Sequence, residues 1–346
     1  MTSPLSVPRI TTKFLRSAAE FQAINAEWKD IFLRSPDATP FQHPSWLLCW
    51  IEAFQPRDLI GIEVREGQRL VGFAPLLIYP RDGERVLAFA GGGVSDYLTL
   101  LAEPGSEQLV VERVLHAVLS IPNWTVLDLT DLSGNSAFLR STLGREHTEK
   151  HDVCYVLSLP QSIEHLVESL TKRQWSNLRN ARSRTQREGE PSIERASAAN
   201  VSEFLDDLVR LHTIRWNELD QNGVLNDSRL LDFHRGVAPA LLKDGLLRLY
   251  RMRLNERTIA AIYAFFHRET VFCYLQGFDP QFAHLSPGTQ LMFAVIADAV
   301  KLGMRRFDFL RGEEGYKLHW RPQGEPTYRI ELPRQRLSKQ LVSIAA

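Results

Sequence analysis

Leu59-Ile-Gly-Ile-Glu-Val-Arg65, Glu66-Gly67-Gln68 and Arg69-Leu-Val-Gly-Phe-Ala-Pro-Leu-Leu-Ile-Tyr79 read as strand, turn and strand: two apolar runs about a glycine turn. A second turn, Arg81-Asp82-Gly83-Glu84, precedes a third strand at 85–90. Helical spacing follows over 107–119, then a short strand at 125–129. The same order returns in the second half. Leu246-Leu-Arg-Leu-Tyr-Arg-Met-Arg-Leu254 is a strand, Asn255-Glu256 a turn, and 257–267 and 270–277 the next two strands. A helix is predicted from Gly288 to Lys301, and Arg306-Phe-Asp-Phe309 closes the unit. Gly67 aligns with Asn255, Phe89-Ala-Gly91 with Leu275-Gln-Gly277, and Asp128 with Asp308. Helices precede each copy, at 18–33 and 46–54 and again at 201–222 and 229–243. A repeated β-β-β-α-β order predicts an α/β chain with mixed sheets, built as two tandem domains related by duplication. The expected division is 1–160 and 161–346.

The remaining numbers agree with a globular chain. With 346 residues there is room for two domains, and 44% hydrophobic with 24% charged residues excludes a disordered chain or a rod. Lys+Arg of 41 against Asp+Glu of 41 leaves no net charge, so only a local basic patch could draw a polyanion. Cys49, Cys154 and Cys273 are scattered, which argues against a disulfide framework or a thiolate zinc site. The N-terminus lacks the apolar core of a secretory signal, and no apolar run approaches the ~20 residues of a membrane helix. A cytoplasmic protein without membrane insertion is expected.

The local patch exists at the predicted junction. Residues 170–188 read as a helix with six basic side chains and no acid before Glu188. At 100° per residue Leu170, Trp175, Leu178 and Ala181 share one face. Lys172, Arg173, Arg179, Arg184 and Arg187 take the other, with Arg182 at the boundary. Two readings stand: a solvated face, or an anion site for phosphates or a charged glycan, since arginine binds such oxygens bidentately.

Two segments concentrate chemistry. In Gln276-Gly-Phe-Asp-Pro-Gln-Phe-Ala-His-Leu-Ser-Pro-Gly-Thr289 a strand ends at Gly277 and a helix begins near Ser286, which is expected to cap it, with Pro287 in the first turn. Unpaired amides there form an anion pocket. Gly288 weakens a bare helix, so close approach of a ligand to the backbone is the better reason for it. The second segment, Phe307-Asp-Phe-Leu-Arg-Gly-Glu-Glu-Gly-Tyr-Lys-Leu-His-Trp320, carries Asp308 into a turn crowded with Arg311, Glu313, Glu314, Tyr316, Lys317 and His319. Strand ends in α/β sheets collect sites. His319 has no ligand partner at i+3 or i+4, so no metal is expected. No nucleophile elbow, dinucleotide fingerprint or P-loop is present.

The order of elements resembles the GNAT acetyltransferase fold, and the tandem copy resembles the FemABX-like branch. More closely, the chain resembles CelD/BcsL-type (cellulose biosynthesis) acetyltransferases. The resemblance rests on Thr39-Pro-Phe-Gln-His-Pro-Ser-Trp46, Gly72-Phe-Ala-Pro-Leu76 and Gly91-Gly-Gly-Val-Ser-Asp-Tyr97. In the second half it rests on Asn177-Leu-Arg-Asn-Ala-Arg182, Leu211-His-Thr-Ile-Arg-Trp216, Gly277-Phe-Asp-Pro280, Leu285-Ser-Pro-Gly288 and Phe307 through Trp320. It runs from about residue 15 to 333 and implies acyl transfer from acetyl-CoA to an amine, on a saccharide or other small-molecule acceptor, in exopolysaccharide or cell-envelope precursor synthesis. The usual pyrophosphate loop, Arg/Gln-x-x-Gly-x-Gly/Ala, is replaced by His284-Leu-Ser-Pro-Gly-Thr289. This leaves an aminoacyl-tRNA donor, as in FemABX relatives, open beside acetyl-CoA, and an inactive scaffold of a polysaccharide-synthesis complex as a third reading. The first copy lacks Ser-Pro-Gly before its helix and is expected to be degenerate.

Roles follow from residue type and position. Tyr316 is the expected acid at the leaving thiolate; Lys317 or a strand amide near Gly277 would stabilise the oxyanion; Glu313 or His212 would serve as base. Gly277, Phe278, Leu285, Ser286, Pro287, Gly288 and Thr289 are the expected acetyl-CoA contacts. Arg179, Arg215, Trp216, Asp308, Arg311 and Trp320 are the expected acceptor contacts.

Overall fold

Arg257–His267 is apolar along nearly its whole length and buried from Thr258 onward, the mark of a strand covered on both faces. Around it and its counterpart in the first half, the chain divides into two compact units, Met1–Asp152 with Pro326–Ala346, and Val153–Glu325. The computed structural model describes residues 9–141, 146–218 and 227–345, without the side chains of 215–218 and 343–345.

The first unit runs Ile10–Leu15 (β1), Ala18–Ala23 (α1), Asn25–Arg34 (α2), Pro44–Phe54 (α3), Asp58–Glu66 (β2), Arg69–Arg81 (β3), Glu84–Phe89 (β4), Leu101–Ala102 (β5), Glu107–Leu119 (α4), Val126–Leu132 (β6) and Ala137–Arg140 (α5). Thr148–Ser158 (β7), Ile163–Ser169 (α6), Lys172–Glu188 (α7), Pro191–Arg195 (β8), Val201–Glu218 (α8) and Ser228–Lys243 (α9) come next. Leu247–Leu254 (β9), Arg257–His267 (β10), Thr270–Phe278 (β11), Pro287–Lys301 (α10), Arg306–Arg311 (β12) and Gly315–Leu318 (α11) complete the second repeat. Gln323–Pro333 (β13) and Arg334–Ala345 (α12) end the chain.

The strand order is β1-β2-β3-β4-β6-β13 in the first unit and β7-β12-β11-β10-β9-β8 in the second. In both, the three strands of the repeat pair antiparallel and the strand after the helix pairs parallel, β4 with β6 and β11 with β12. The duplication is therefore present in the topology. The strands that flank β6 and β12 are not the ones sequence order suggests. β13, at the chain's end, pairs antiparallel with β6 of the first unit, and β7 pairs antiparallel with β12 of the second. Residues 326–346 accordingly fall with the first unit, whereas the sequence reading placed them with the second.

Helices cover both faces of β10 and β11. A Cβ at position 277 would point at the backbone of Leu211 and His212 in α8, while a Cβ at position 288 in α10 would meet Phe278. Neighbouring residues of a strand point to opposite faces, so α8 and α10 lie on opposite sides. α10 buries Leu291, Met292, Val295, Ile296 and Ala299 against β9–β11, each large side chain contributing roughly 1.5–3 kcal/mol. The helix of the basic segment begins at Lys172 rather than 170. Thr171 caps it, its hydroxyl accepting from the Gln174 amide (3.2 Å) while the Gln174 carboxamide accepts from the Thr171 amide (2.8 Å).

Candidate acyl-transfer site

β11 and β12 pair only from Thr270–Arg306 to Phe272–Asp308 and then part. The parting has a local cause. β12 bulges between Asp308 and Arg311, with Leu310 in the left-handed region at φ 60°. The buried Asp308 carboxylate holds that bulge by accepting the Leu310 amide at 2.7 Å. Asp308, expected among the acceptor contacts, is thus a backbone brace. β11 has its own bulge opposite Tyr263–Ala264 and continues to Phe278 paired with β10, while past Phe272 its other edge carries no ladder pairing among the described residues.

A pocket of about 390 Å³ occupies the gap. Its lining includes Gln276, Gly277 and Phe278 from β11, Ser286 through Thr289 at the start of α10, and Tyr316, His319 and Trp320 beyond β12. The sequence reading placed seven of these residues at the site as donor contacts or acid and an eighth, Trp320, as an acceptor contact. Gln276 and His319, together with Ala260–Ile262 and Met292, were missed as site residues. Tyr316 and His319 are three apart about one short helix, which turns both toward one side.

The helix start departs from the expected cap. Ser286 is itself left-handed (φ 52°, ψ 48°) and makes no capping bond with its side chain. The carbonyl of Ser286 accepts the first helical bond from Gln290 (3.1 Å), leaving the amides of Gly288 and Thr289 ahead of the ladder. Pro287 has no amide to leave. Gly288 meets no demand of the fold: a Cβ there would touch Phe278 at 3.6 Å, an ordinary contact. Bare amides, a dipole end and an uncrowded glycine fit a diphosphate. Leu285, expected to touch the donor, is fully buried and supports from behind, its carbonyl accepting from the Gln290 side chain at 2.7 Å.

Four other expectations shift. Lys317 is 2% exposed, and its ammonium donates to the carbonyls of Leu310 (3.2 Å), Arg311 (2.5 Å) and Gly312 (3.1 Å) and pairs with Glu314 at 2.9 Å. Every donor it has is spent on the turn after β12, so it is a pin rather than an oxyanion ligand. Glu313 is exposed and His212 buried in α8; neither lines the pocket. Arg311 also lies outside the lining and lends its carbonyl to Lys317. The side chains of Arg215 and Trp216 lie outside the described residues.

α7 borders this site. Arg184 donates to the His284 carbonyl at 3.1 Å, Glu188 meets the His284 ring at 2.9 Å, and Gln290 donates to the Thr185 hydroxyl at 2.9 Å. Leu178, Ala181 and Thr185 are buried, while Lys172, Arg173, Arg179, Arg182 and Arg187 are exposed. Among the described residues no cluster of three or more His, Cys, Asp or Glu could hold a metal ion, and no helix is long and apolar enough to cross a membrane.

Residues 172–318 match the acetyltransferase (GNAT) domain family. The chain is also similar in structure to FemX: TM-score 0.66 and 12% identity, over 95% of this chain and 99% of that one. A tandem GNAT protein from the clavulanic acid biosynthesis pathway gives TM-score 0.50 and 13% identity, over 94% of this chain and 99% of that one. No curated protein matches by sequence. The architecture is that of two tandem GNAT-type units, with the matched family segment in the unit that holds the pocket.

Proposed function

We propose that the second unit transfers an acyl group from acetyl-CoA to an amine. The observation that carries this reading is the pocket that opens on the Gly288 and Thr289 amides and is also lined by Tyr316 and His319. The amides and the helix dipole would hold the pyrophosphate, and the free edge of β11 would take the pantetheine arm in strand-like fashion. His319 takes a proton from the acceptor ammonium, and the freed amine attacks the thioester carbon. An amide on the free edge of β11 stabilises the oxyanion. The C–S bond then breaks: Tyr316 gives its proton to the leaving thiolate and regains one from the nitrogen that has attacked, leaving a neutral amide and CoA thiol. Direct transfer is favoured over a cysteine acyl-enzyme, because burial pushes the Cys273 thiol up to about 12 and the Cys49 thiol up to about 11. The likeness of the sequence motifs to the CelD/BcsL type supports an acceptor among saccharide precursors.

A second reading, an aminoacyl-tRNA donor, is favoured by the exposed basic face of α7. Thermal unfolding with acetyl-CoA, CoA or an aminoacyl-adenylate analogue separates the two. A donor at 100 times its Kd should add about 2.7 kcal/mol. Stabilisation by the adenylate analogue alone, with tRNA affinity falling steeply with salt, would overturn the acetyl-CoA reading.

A further inference from the structure

The first unit contains a second pocket, of about 310 Å³, that acyl transfer does not use. Asp128, Thr130 and Asp131, at the end of β6, give it a polar lining, and Trp50, Tyr79 and Phe89 an aromatic one. Gly92 and Gly93 complete its rim. We propose that this pocket binds a neutral saccharide ring. The proposal goes beyond the acyl-transfer reading and needs no donor.

Charge narrows the ligand first. No lysine, arginine or histidine is among the described lining residues, so a phosphate or carboxylate would face only carboxylates. A cation is no better served. Asp128 is already closed by Arg329, at 2.7 and 3.0 Å, and by Arg81. Asp131 accepts from the Thr130 hydroxyl at 3.1 Å and has the His151 ring at 3.8 Å. What remains is a set of acceptors and a hydroxyl suited to uncharged O–H groups. The aromatic lining suits the C–H faces of the same molecule, and a ring with apolar faces and a hydroxylated edge is a sugar.

The rim is built to stay in place. Trp46 donates to the Ser95 hydroxyl at 3.0 Å, Gln42 donates to the Tyr97 carbonyl at 2.8 Å, and Trp28 donates to the Gln42 carbonyl at 3.1 Å. Thus 39–46 and 91–97, motifs the acyl site does not use, serve each other. One pins the loop that carries Gly92 and Gly93. Nothing lies within 4 Å of where a Cβ would stand on either glycine, so neither is there to make room for packing. A pre-held loop spares the ligand the cost of ordering it.

The test uses the full chain labelled with nitrogen-15. Glucose, galactose, N-acetylglucosamine and cellobiose are titrated while the Trp50 indole cross-peak, assigned through Trp50→Phe, is followed. At least one sugar should shift that peak. Asp131→Asn, whose side chain tolerates the left-handed backbone at φ 57°, should weaken binding about tenfold without moving Tm. Saturation transfer to the sugar protons needs no assignment, and its dependence on sugar concentration should be unchanged in Gly288→Val but shifted about tenfold in Asp131→Asn. Silence of every sugar by both readouts overturns the proposal. So does a stronger shift with methylammonium or inorganic phosphate, which would mean a charged ligand.

Discussion

Gly277 lies against the backbone of His212: the Cβ it lacks would stand 2.8 Å from the His212 amide nitrogen and 2.9 Å from the Leu211 carbonyl carbon. Backbone cannot rotate away as a flexible side chain can. Gly277→Ala must therefore push α8 from β11, and a loss of about 1–3 kcal/mol is expected in denaturant unfolding. Unchanged stability would mean that the helix yields freely there.

Gly288 is the opposite case, because its missing Cβ would find only ordinary contact with Phe278. Gly288→Val should change stability by about 1 kcal/mol or less. Acetyl-CoA binding should nevertheless be lost in calorimetry, since the branched side chain crowds the amides. A folded variant with wild-type affinity would place the donor elsewhere.

Lys317 holds three carbonyls and Glu314 from a buried position. Lys317→Met leaves those acceptors without their donor, and a loss of roughly 3 kcal/mol is expected. The kcat of the folded fraction should fall far less than stability does. Full stability with kcat abolished would return Lys317 to the chemistry.

His234, buried in α9 beside His212 and the rings of Tyr263 and Tyr274, has its pKa pushed down to about 3 by burial and then by the neighbouring histidine. Its folded value lies below the ordinary ~6.5, so between these values the unfolded chain binds the extra proton. Stability is complete above about pH 6.5 and falls by up to about 1.4 kcal/mol per pH unit on acidification toward pH 3. His234→Phe should flatten that slope in urea titrations at several pH values. An unchanged slope would assign the acid sensitivity to other groups.

Arg179 lies on the exposed face of α7 and forms no hydrogen bond or ion pair among the described residues. Arg179→Ala should leave unfolding within about 0.5 kcal/mol of wild type. If the face binds an anionic substrate, KM should rise more than kcat falls. Identical kinetics would leave it a solvated face.

Much of this protein was legible in its residues because periodicity is a local property. The apolar runs at 69–79 and 257–267, the helical spacing at 107–119 and the one-sided basic segment each depend on neighbours within a few positions. All reappear as β3, β10, α4 and α7. The tandem α/β order followed from them, and half the lining of the pocket between β11 and α10 comes from residues singled out in the sequence, because a strand, a loop and a helix start lie together there. Only the tertiary structure decided that β13 belongs beside β6 and β7 beside β12, since pairing partners are chosen by contacts far apart in the chain. It also decided polar roles. Lys317, His319, Asp308 and Glu313 share one crowded turn in sequence. Burial and the path of the backbone turned Lys317 onto carbonyls and Asp308 onto a bulge, left Glu313 in solvent, and placed His319 in the pocket wall.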